Sequence, residues 1–361
     1  MAEEGEEMKL FEHPLYKEDI QRIANLHLPW DKLNNKSILI SGASGMIGSL
    51  LSDVLAYKDD KEQLNCRIIA LGRNEQRAHD RFARYYEKPY FQFISHDISN
   101  PLVLEETENI SYVIHLASNT HPKAYATDPI GTITTNILGT KNLLDIAVKY
   151  DAERFLLASS NEIYGENRGD TELFSENYCG YIDCNTVRAG YPESKRCSEA
   201  LCQAYKAQKG VNVVIARLTR SYGPSLLSSD TKAMSQFIHN ALKGEDIVLK
   251  SAGTQYYSYT YAADAVSGLL TVLLCGENGD AYNVSDIASD ITLKELAKTI
   301  ADATSTKVVF DLPDSVESIG FSKATKARLD SAKLQKFGWK AQYTISDGIK
   351  RTLEILKSLT D

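Results

Sequence analysis

A chain of 361 residues, 43% hydrophobic and 24% charged, has globular composition and length for one large domain or two fused units. Its formal charge of -8 argues against nonspecific nucleic-acid binding, which needs a basic surface. No apolar run nears the ~18 residues of a membrane-spanning helix, and no basic-then-apolar leader is visible, so a cytoplasmic protein that makes no use of a membrane is expected. Six scattered cysteines without a CxxC pair read as reduced thiols. Four of them, Cys179, Cys184, Cys197 and Cys202, share one stretch but lack zinc-ligand spacing, so no metal is expected.

Residues 1–36 read as an accessory segment. Glu3, Glu4, Glu6 and Glu7 form a solvated acidic tip. Apolar residues at helical spacing (Ile20, Ile23, Leu26) predict a helix from Tyr16 to Leu28 that packs on the outside of the main fold. From Lys36 the texture changes. Short apolar runs at Ser37–Ile40, Arg67–Leu71, Phe91–Ile94, Tyr112–Leu116, Arg154–Ala158 and Val211–Ala216 read as strands. Helix-like stretches lie between them, among them Met46–Ala56, Ile133–Lys149 and Tyr191–Gln208. This alternation predicts an α/β fold with a doubly wound parallel sheet over residues 37–220. Beyond it, helix patterns at Lys232–Lys243, Ala262–Leu274 and Leu293–Ala303 suggest a smaller lobe over 221–361, interleaved with the first and mainly substrate-binding.

The first strand runs into Ser41-Gly42-Ala43-Ser44-Gly45-Met46-Ile47-Gly48. Gly42 permits a sharp turn, Gly45 a close approach of backbone to a pyrophosphate, and Gly48 close packing of helix on sheet. The helix's free N–H groups and positive dipole end then face the phosphates. A strand before the glycines and a helix after them favour a Rossmann-type dinucleotide site over an ordinary tight turn. The second strand ends Ala70-Leu71-Gly72-Arg73-Asn74, with no acidic residue for a ribose hydroxyl and with Arg73 beside its place. NAD and NADP both stay open at this point. Asp97, followed by Ile98, stands after the third strand as an acceptor for an adenine amino group.

Tyr191 and Lys195 make a YxxxK pair on one helix face, with Pro192 in the first turn. A free phenol has a pKa of ~10; a lysine one turn away is expected to stabilise the phenolate, so that it takes a proton from a substrate hydroxyl as hydride leaves. After the fifth strand, one hydroxyl of Ser159-Ser160 is set to hydrogen-bond the reacting oxygen, with Ser160 the candidate. Glu162 follows two residues later; these residues resemble simple sugar epimerases, which usually carry small or hydroxyl residues at that place, and against that resemblance a carboxylate implies chemistry beyond hydride transfer, such as deprotonation next to a ketone.

These residues resemble the extended short-chain dehydrogenase/reductase superfamily, in its branch of NAD-dependent sugar-nucleotide epimerases, dehydratases and decarboxylases. The resemblance covers roughly residues 37 to 357 and includes His115–Ser118, Asn136–Thr140, Tyr222-Gly223-Pro224, Tyr282-Asn283-Val284 and Gly338-Trp339. Within the branch the chain is most similar to the UDP-glucuronate decarboxylase family. Pro122, Tyr125, Pro129-Ile130 and Thr135-Asn136 match one run of that family. Ser160, Glu162, Tyr164 and Gly165 match its SEVYG stretch. Glu176, Tyr178 and Gly180, leading to Arg188, Tyr191, Lys195 and Arg196, match a third.

The resemblance implies a lyase of carbohydrate metabolism, with a recycled NAD (NADP not excluded), a nucleotide-sugar substrate and a homodimer paired through Ile133–Lys149 and Tyr191–Gln208. It also implies that Leu116, Ala117 and Ser118 touch the cofactor, and that Tyr125, Asn161, Arg188, Arg220, Lys232 and Tyr257 touch the substrate. Three positions depart from the pattern. Arg220 replaces an asparagine, and Tyr257 replaces an arginine that helps bind the anionic substrate. The expectation is that Arg220 moves the positive charge rather than abolishing it. Asn161 stands where 4,6-dehydratases carry an aspartic acid, which disfavours dehydration. A dTDP-glucose 4,6-dehydratase-like enzyme and a C4 epimerase remain alternatives. A noncatalytic NAD(P)-binding module is the alternative of another class, and it would not need the Tyr191/Lys195 pair.

Overall fold

A computed structural model describes residues 9–104, 109–120, 122–226, 230–311 and 325–359; the acidic tip Glu3, Glu4, Glu6 and Glu7 lies outside them. The short apolar runs form strands β1 (Ser37–Ser41), β2 (Arg67–Gly72), β3 (Phe91–Ser95), β4 (Tyr112–His115), β5 (Arg154–Ser160) and β6 (Val213–Leu218). After them come β7 (Arg220–Tyr222), β8 (Ile247–Leu249), β9 (Tyr256–Tyr261), β10 (Ala281–Val284), β11 (Asp290–Thr292), β12 (Val308–Phe310) and β13 (Lys326–Ala327). The helices are α1 (Pro14–Ala24), α2 (Met46–Glu62), α3 (Glu75–Phe82), α4 (Pro122–Thr127), α5 (Pro129–Lys149) and α6 (Gly190–Lys209). They continue with α7 (Ala233–Leu242), α8 (Ala262–Cys275), α9 (Leu293–Thr304), α10 (Ala332–Gln335) and α11 (Ile345–Ser358).

The central sheet has the order β3-β2-β1-β4-β5-β6-β10, and every neighbouring pair is parallel. Side chains alternate across it. Ile38 and Ile40 face one layer with Leu51 and Val54, while Leu39 faces the other with Leu143 and Leu144. Burial on both faces is why these strands read as unbroken apolar runs. The chain reverses its winding between β1 and β4, which opens a crevice at the carboxyl ends of those strands.

Several boundaries move from the sequence expectation. Helix α5 starts at Pro129, before Ile133, because the Asp128 side chain accepts the Gly131 N–H at 3.0 Å and proline suits the first helical position. Helix α2 runs past Ala56 to Glu62 and ends on Gln63 in a left-handed conformation. The sixth strand is Val213–Leu218 rather than Val211–Ala216, held in register by Phe155 opposite Val213. Strand β10 returns from the last third of the chain to edge the main sheet beside β6. In the smaller lobe β9 pairs with β7, β11 and β13, and β8 pairs with β12.

The N-terminal helix ends at Ala24 rather than Leu28, and it is stitched in rather than laid on the outside. Tyr16, Ile20 and Ile23 are buried. Asp19 accepts hydrogen bonds from the hydroxyls of Tyr261 and Tyr343, both 2.6 Å, and from Arg351 at 2.7 Å. Tyr16 donates to Asp53 of α2 at 2.7 Å. A buried carboxylate must be paired to be tolerated, so these bonds tie α1 to α2, β9 and α11 at once.

Candidate active site

Every residue that the sequence singles out for cofactor, substrate or chemistry lines one cleft of about 580 Å³ at the winding reversal. Gly42 has φ +70°, and a Cβ on it would lie 2.7 Å from the Ala117 backbone nitrogen; one on Gly48 would lie 2.4 Å from the Gly42 carbonyl. Both positions therefore require glycine, and α2 starts tight against the turn. Gly45 opens α2 with no side-chain cap. The first-turn N–H groups of Met46, Ile47 and Gly48 thus meet the cleft without competition from a side chain, which fits a dinucleotide pyrophosphate.

Arg73 lies at the rim past β2. Arg77, one turn further along α3, joins it and donates to the Ser44 carbonyl at 2.7 Å. Sequence reasoning missed Arg77; its four-residue spacing from Arg73 was the available signal. The Asp97 carboxylate accepts the Ser99 N–H at 2.9 Å, which holds its pKa below the usual range against the opposing effect of burial. Ile98 and Leu116–Ser118 complete this end. Ser118 donates to the Asn136 side-chain amide oxygen at 2.7 Å.

The reacting corner is built from β5 and the start of α6. Ser159 turns away to Glu199, at 2.5 Å, and Glu199 is itself clamped by Arg217. Ser160 instead faces Tyr191 and accepts the Glu162 N–H at 3.2 Å. Arg188 donates through Nη2 to both carboxylate oxygens of Glu162, at 2.7 and 2.6 Å. Its guanidinium lies 4.7 Å over the Tyr125 ring, which stacks on Tyr191 at 4.8 Å. Behind this corner Tyr164 donates to Asn283 at 2.6 Å and accepts from Arg217 at 2.9 Å. That buried brace explains two motif residues that make no contact with the cleft.

The electrostatics correct one expectation. The Tyr191 phenol is not acidified in this structure: burial, then the Glu162 charge, push it up to about 12. Hydrogen bonds from Ser160 and Tyr125 and the Arg188 charge work the other way. Lys195 is buried, which lowers its pKa to about 8, and its ammonium donates to the Ala158 carbonyl at 3.0 Å. Desolvation outweighs the attraction that four-residue spacing alone suggested.

At the far end, β7 pairs with β9 so that Arg220 sits opposite Tyr259. The Arg220 guanidinium lies 3.5 Å over the ring of Tyr257, two residues along the same face of β9. Its buried Nη1 has no hydrogen-bond partner among the described residues. Lys232 reaches Asp230 at 3.1 Å, and Asn161 is buried on the turn after β5. Asp230 and Lys250, both missed in the sequence, also line the cleft. Among the described residues its wall carries seven Lys and Arg against three Asp and Glu, a local reversal of the chain's net charge. Such a wall suits phosphorylated ligands.

Residues 38–285 match the family described as the NAD dependent epimerase/dehydratase family. The chain is 32% identical over 320 residues to UDP-glucuronic acid decarboxylase 5 of Arabidopsis thaliana, an alignment covering 88% of each. Its fold is similar to that of UDP-glucose 4-epimerase from Thermotoga maritima, solved with UDP-glucose: the TM-score is 0.77 at 22% identity over 90% of this chain and all of that one. It is also similar to UDP-glucuronic acid 4-epimerase from Bacillus cereus, solved with UDP-glucuronic acid and NAD, with TM-score 0.75 at 21% identity over 90% and 99% of the two chains.

Proposed function

This chain belongs to the NAD-dependent epimerase/dehydratase family, and on that premise we propose that it decarboxylates a nucleotide-linked uronic acid, UDP-glucuronate first among them, by transient oxidation at C4. Residues 37–220 then hold the dinucleotide, residues 221–361 mainly the sugar nucleotide, and residues 1–36 are accessory. The bound NAD supplies a reversible two-electron acceptor and, when oxidised, a positive charge that favours phenolate. Tyr191 takes the C4 hydroxyl proton while Ser160 hydrogen-bonds the same oxygen. Lys195 adds positive charge beneath them. The β-keto acid so formed loses CO2 because the ketone oxygen accepts the developing charge. Glu162, or a water it holds, then delivers a solvent proton to C5 in place of the lost CO2, and the hydride returns to C4 while Tyr191 gives its proton back to the C4 oxygen.

One observation carries this reading: Glu162 and Arg188 share a corner with Ser160 and Tyr191 in a chain 32% identical to a protein named a decarboxylase. Dehydration is disfavoured because the Asn161 amide cannot donate the proton that a leaving hydroxyl needs. We also propose a cytoplasmic homodimer. Six cysteines without a disulfide and the exposed apolar residues of α5 support it; among the described residues no helix is long and apolar enough to cross a membrane.

The test is incubation of the NAD-loaded enzyme with UDP-glucuronate, UDP-glucose and dTDP-glucose. CO2 and a UDP-pentose are expected from the first alone, and Tyr191→Phe is expected to lower the rate by roughly 100-fold or more. A stable 4-keto-6-deoxy product or an inverted C4 hydroxyl would replace the reading with a dehydratase or an epimerase.

A further inference from the structure

Glu162 poses a problem for an acidic substrate. The C5 substituent of a sugar lies one carbon from the reacting C4, so a uronate held at Ser160 and Tyr191 brings a second carboxylate close to that of Glu162. Two such groups repel, and in a partly buried site the repulsion is poorly screened. Arg188 is the cation at this corner. Its side chain is 12% exposed and that of Glu162 is 20% exposed.

Two features make the pair more than a static brace. The Arg188 guanidinium is held over the Tyr125 ring, so it keeps its place in the cleft without depending on Glu162 alone. Both partners are also tied to the reacting hydroxyls. The Glu162 N–H bonds Ser160 at 3.2 Å, and Arg188 lies one turn before Tyr191, whose ring stacks on Tyr125. Of the other cations of the cleft, Lys195 donates to the Ala158 carbonyl, Lys232 to Asp230 and Arg77 to the Ser44 carbonyl, while Arg220 lies over Tyr257 at the far end.

We propose that the Arg188–Glu162 pair reads the charge of the sugar: a carboxylate beside the reacting carbon engages Arg188 and loosens its hold on Glu162, which, only when an acidic sugar is bound, becomes available to pass a solvent proton to C5 after CO2 leaves. A neutral sugar leaves the pair closed. The proposal rests on the decarboxylase reading for the position of the sugar, and it makes Arg188 a specificity-determining residue rather than part of a passive wall.

The test measures binding, in the NAD-loaded Tyr191→Phe protein so that turnover does not interfere. Calorimetric titration with UDP-glucuronate, UDP-glucose and UDP is compared with and without Arg188→Met and Glu162→Gln. The parent is expected to favour UDP-glucuronate over UDP-glucose by about tenfold or more, and Arg188→Met to cut that ratio to about twofold or less, with UDP binding kept. Glu162→Gln is expected to tighten UDP-glucuronate about threefold or more and leave UDP-glucose unmoved, because it removes the competing carboxylate. A parent without the preference, a ratio that survives Arg188→Met, or weaker uronate binding in Glu162→Gln overturns the proposal. Retained UDP binding shows that each variant is folded, and Glu162→Gln gives a result of opposite sign if Arg188→Met fails to fold. If turnover of the wild type releases no CO2 but the binding ratios behave as stated, the decarboxylase reading fails and the charge reader stands. CO2 release with unmoved ratios sinks the charge reader alone.

Discussion

Arg220 holds one guanidinium nitrogen out of solvent with no hydrogen-bond partner among the described residues, 3.5 Å over the Tyr257 ring. An unsatisfied buried donor costs about 1–3 kcal/mol, more when charged. The stacked aromatic offsets part of this. A ligand phosphate or diphosphate in the cleft would complete the rest. Arg220→Ala is therefore expected to raise KM for the nucleotide sugar more than about tenfold, equivalent to about 1.4 kcal/mol, with kcat little changed. An unchanged KM in steady-state assays would remove Arg220 from the substrate site. The arginine-for-asparagine and tyrosine-for-arginine changes were readable in the sequence, but their face-to-face contact was not. It depends on β7 pairing with β9 across some forty residues. The phenol of Tyr191 teaches the same lesson. YxxxK spacing predicts proximity, but only the burial around it sets the sign of the shift.

Among the elements, α8 has an unusual beginning. Asp264 lies in its first turn, where a carboxylate favours the helix dipole. It accepts the backbone N–H groups of Gln342 at 2.8 Å and Tyr343 at 3.1 Å, joining α8 to the segment before α11. Burial nevertheless raises its pKa from 3.8 to about 7, with help from the charges of Asp286 and Asp19, while the two N–H bonds oppose the rise. The folded state thus holds this proton more tightly than the unfolded chain. Its stabilising effect is fully present below the unfolded value near 3.8 and is lost as pH rises through about 7. Asp264→Asn cannot suffer that loss. Its melting temperature relative to wild type is expected to climb by a few degrees between about pH 5 and about pH 8. A gap that stays constant across this range in thermal scans would show that Asp264 does not titrate there.

For the whole molecule, among the described residues a conspicuous apolar surface lies along α5. Ile130, Ile133, Leu138 and Val148 of α5 are exposed, Ile130 to 76%. Val187, just before α6, is exposed as well. The α5–α6 face is continuous because the two helices pack side by side, with Thr140 bonded to Ser198 at 3.0 Å. An isologous contact through this face would bury the apolar residues in a two-fold dimer. If the chain pairs through this face, Ile130→Glu is expected to sediment as a monomer where the wild type sediments as a dimer, with the circular dichroism spectrum intact. Wild-type protein that sediments as a monomer at roughly micromolar concentration would end the dimer proposal.

The sequence by itself determined the parallel α/β sheet, the glycine turn and the placing of Tyr191 and Lys195 on one helix. These are written locally: strand and helix periods show within ten residues, and Gly48 is required by contacts with Gly42 and Ala43 inside one turn. Tertiary structure alone decided that Ser159 turns away to Glu199, that Arg188 clasps Glu162, that β10 returns to the main sheet, and that Asp19 binds α1 to the far end of the chain. Each of these depends on the register or burial of groups distant in sequence. A periodicity reports which face a residue occupies, but not which partner it meets there or how much water is left between them.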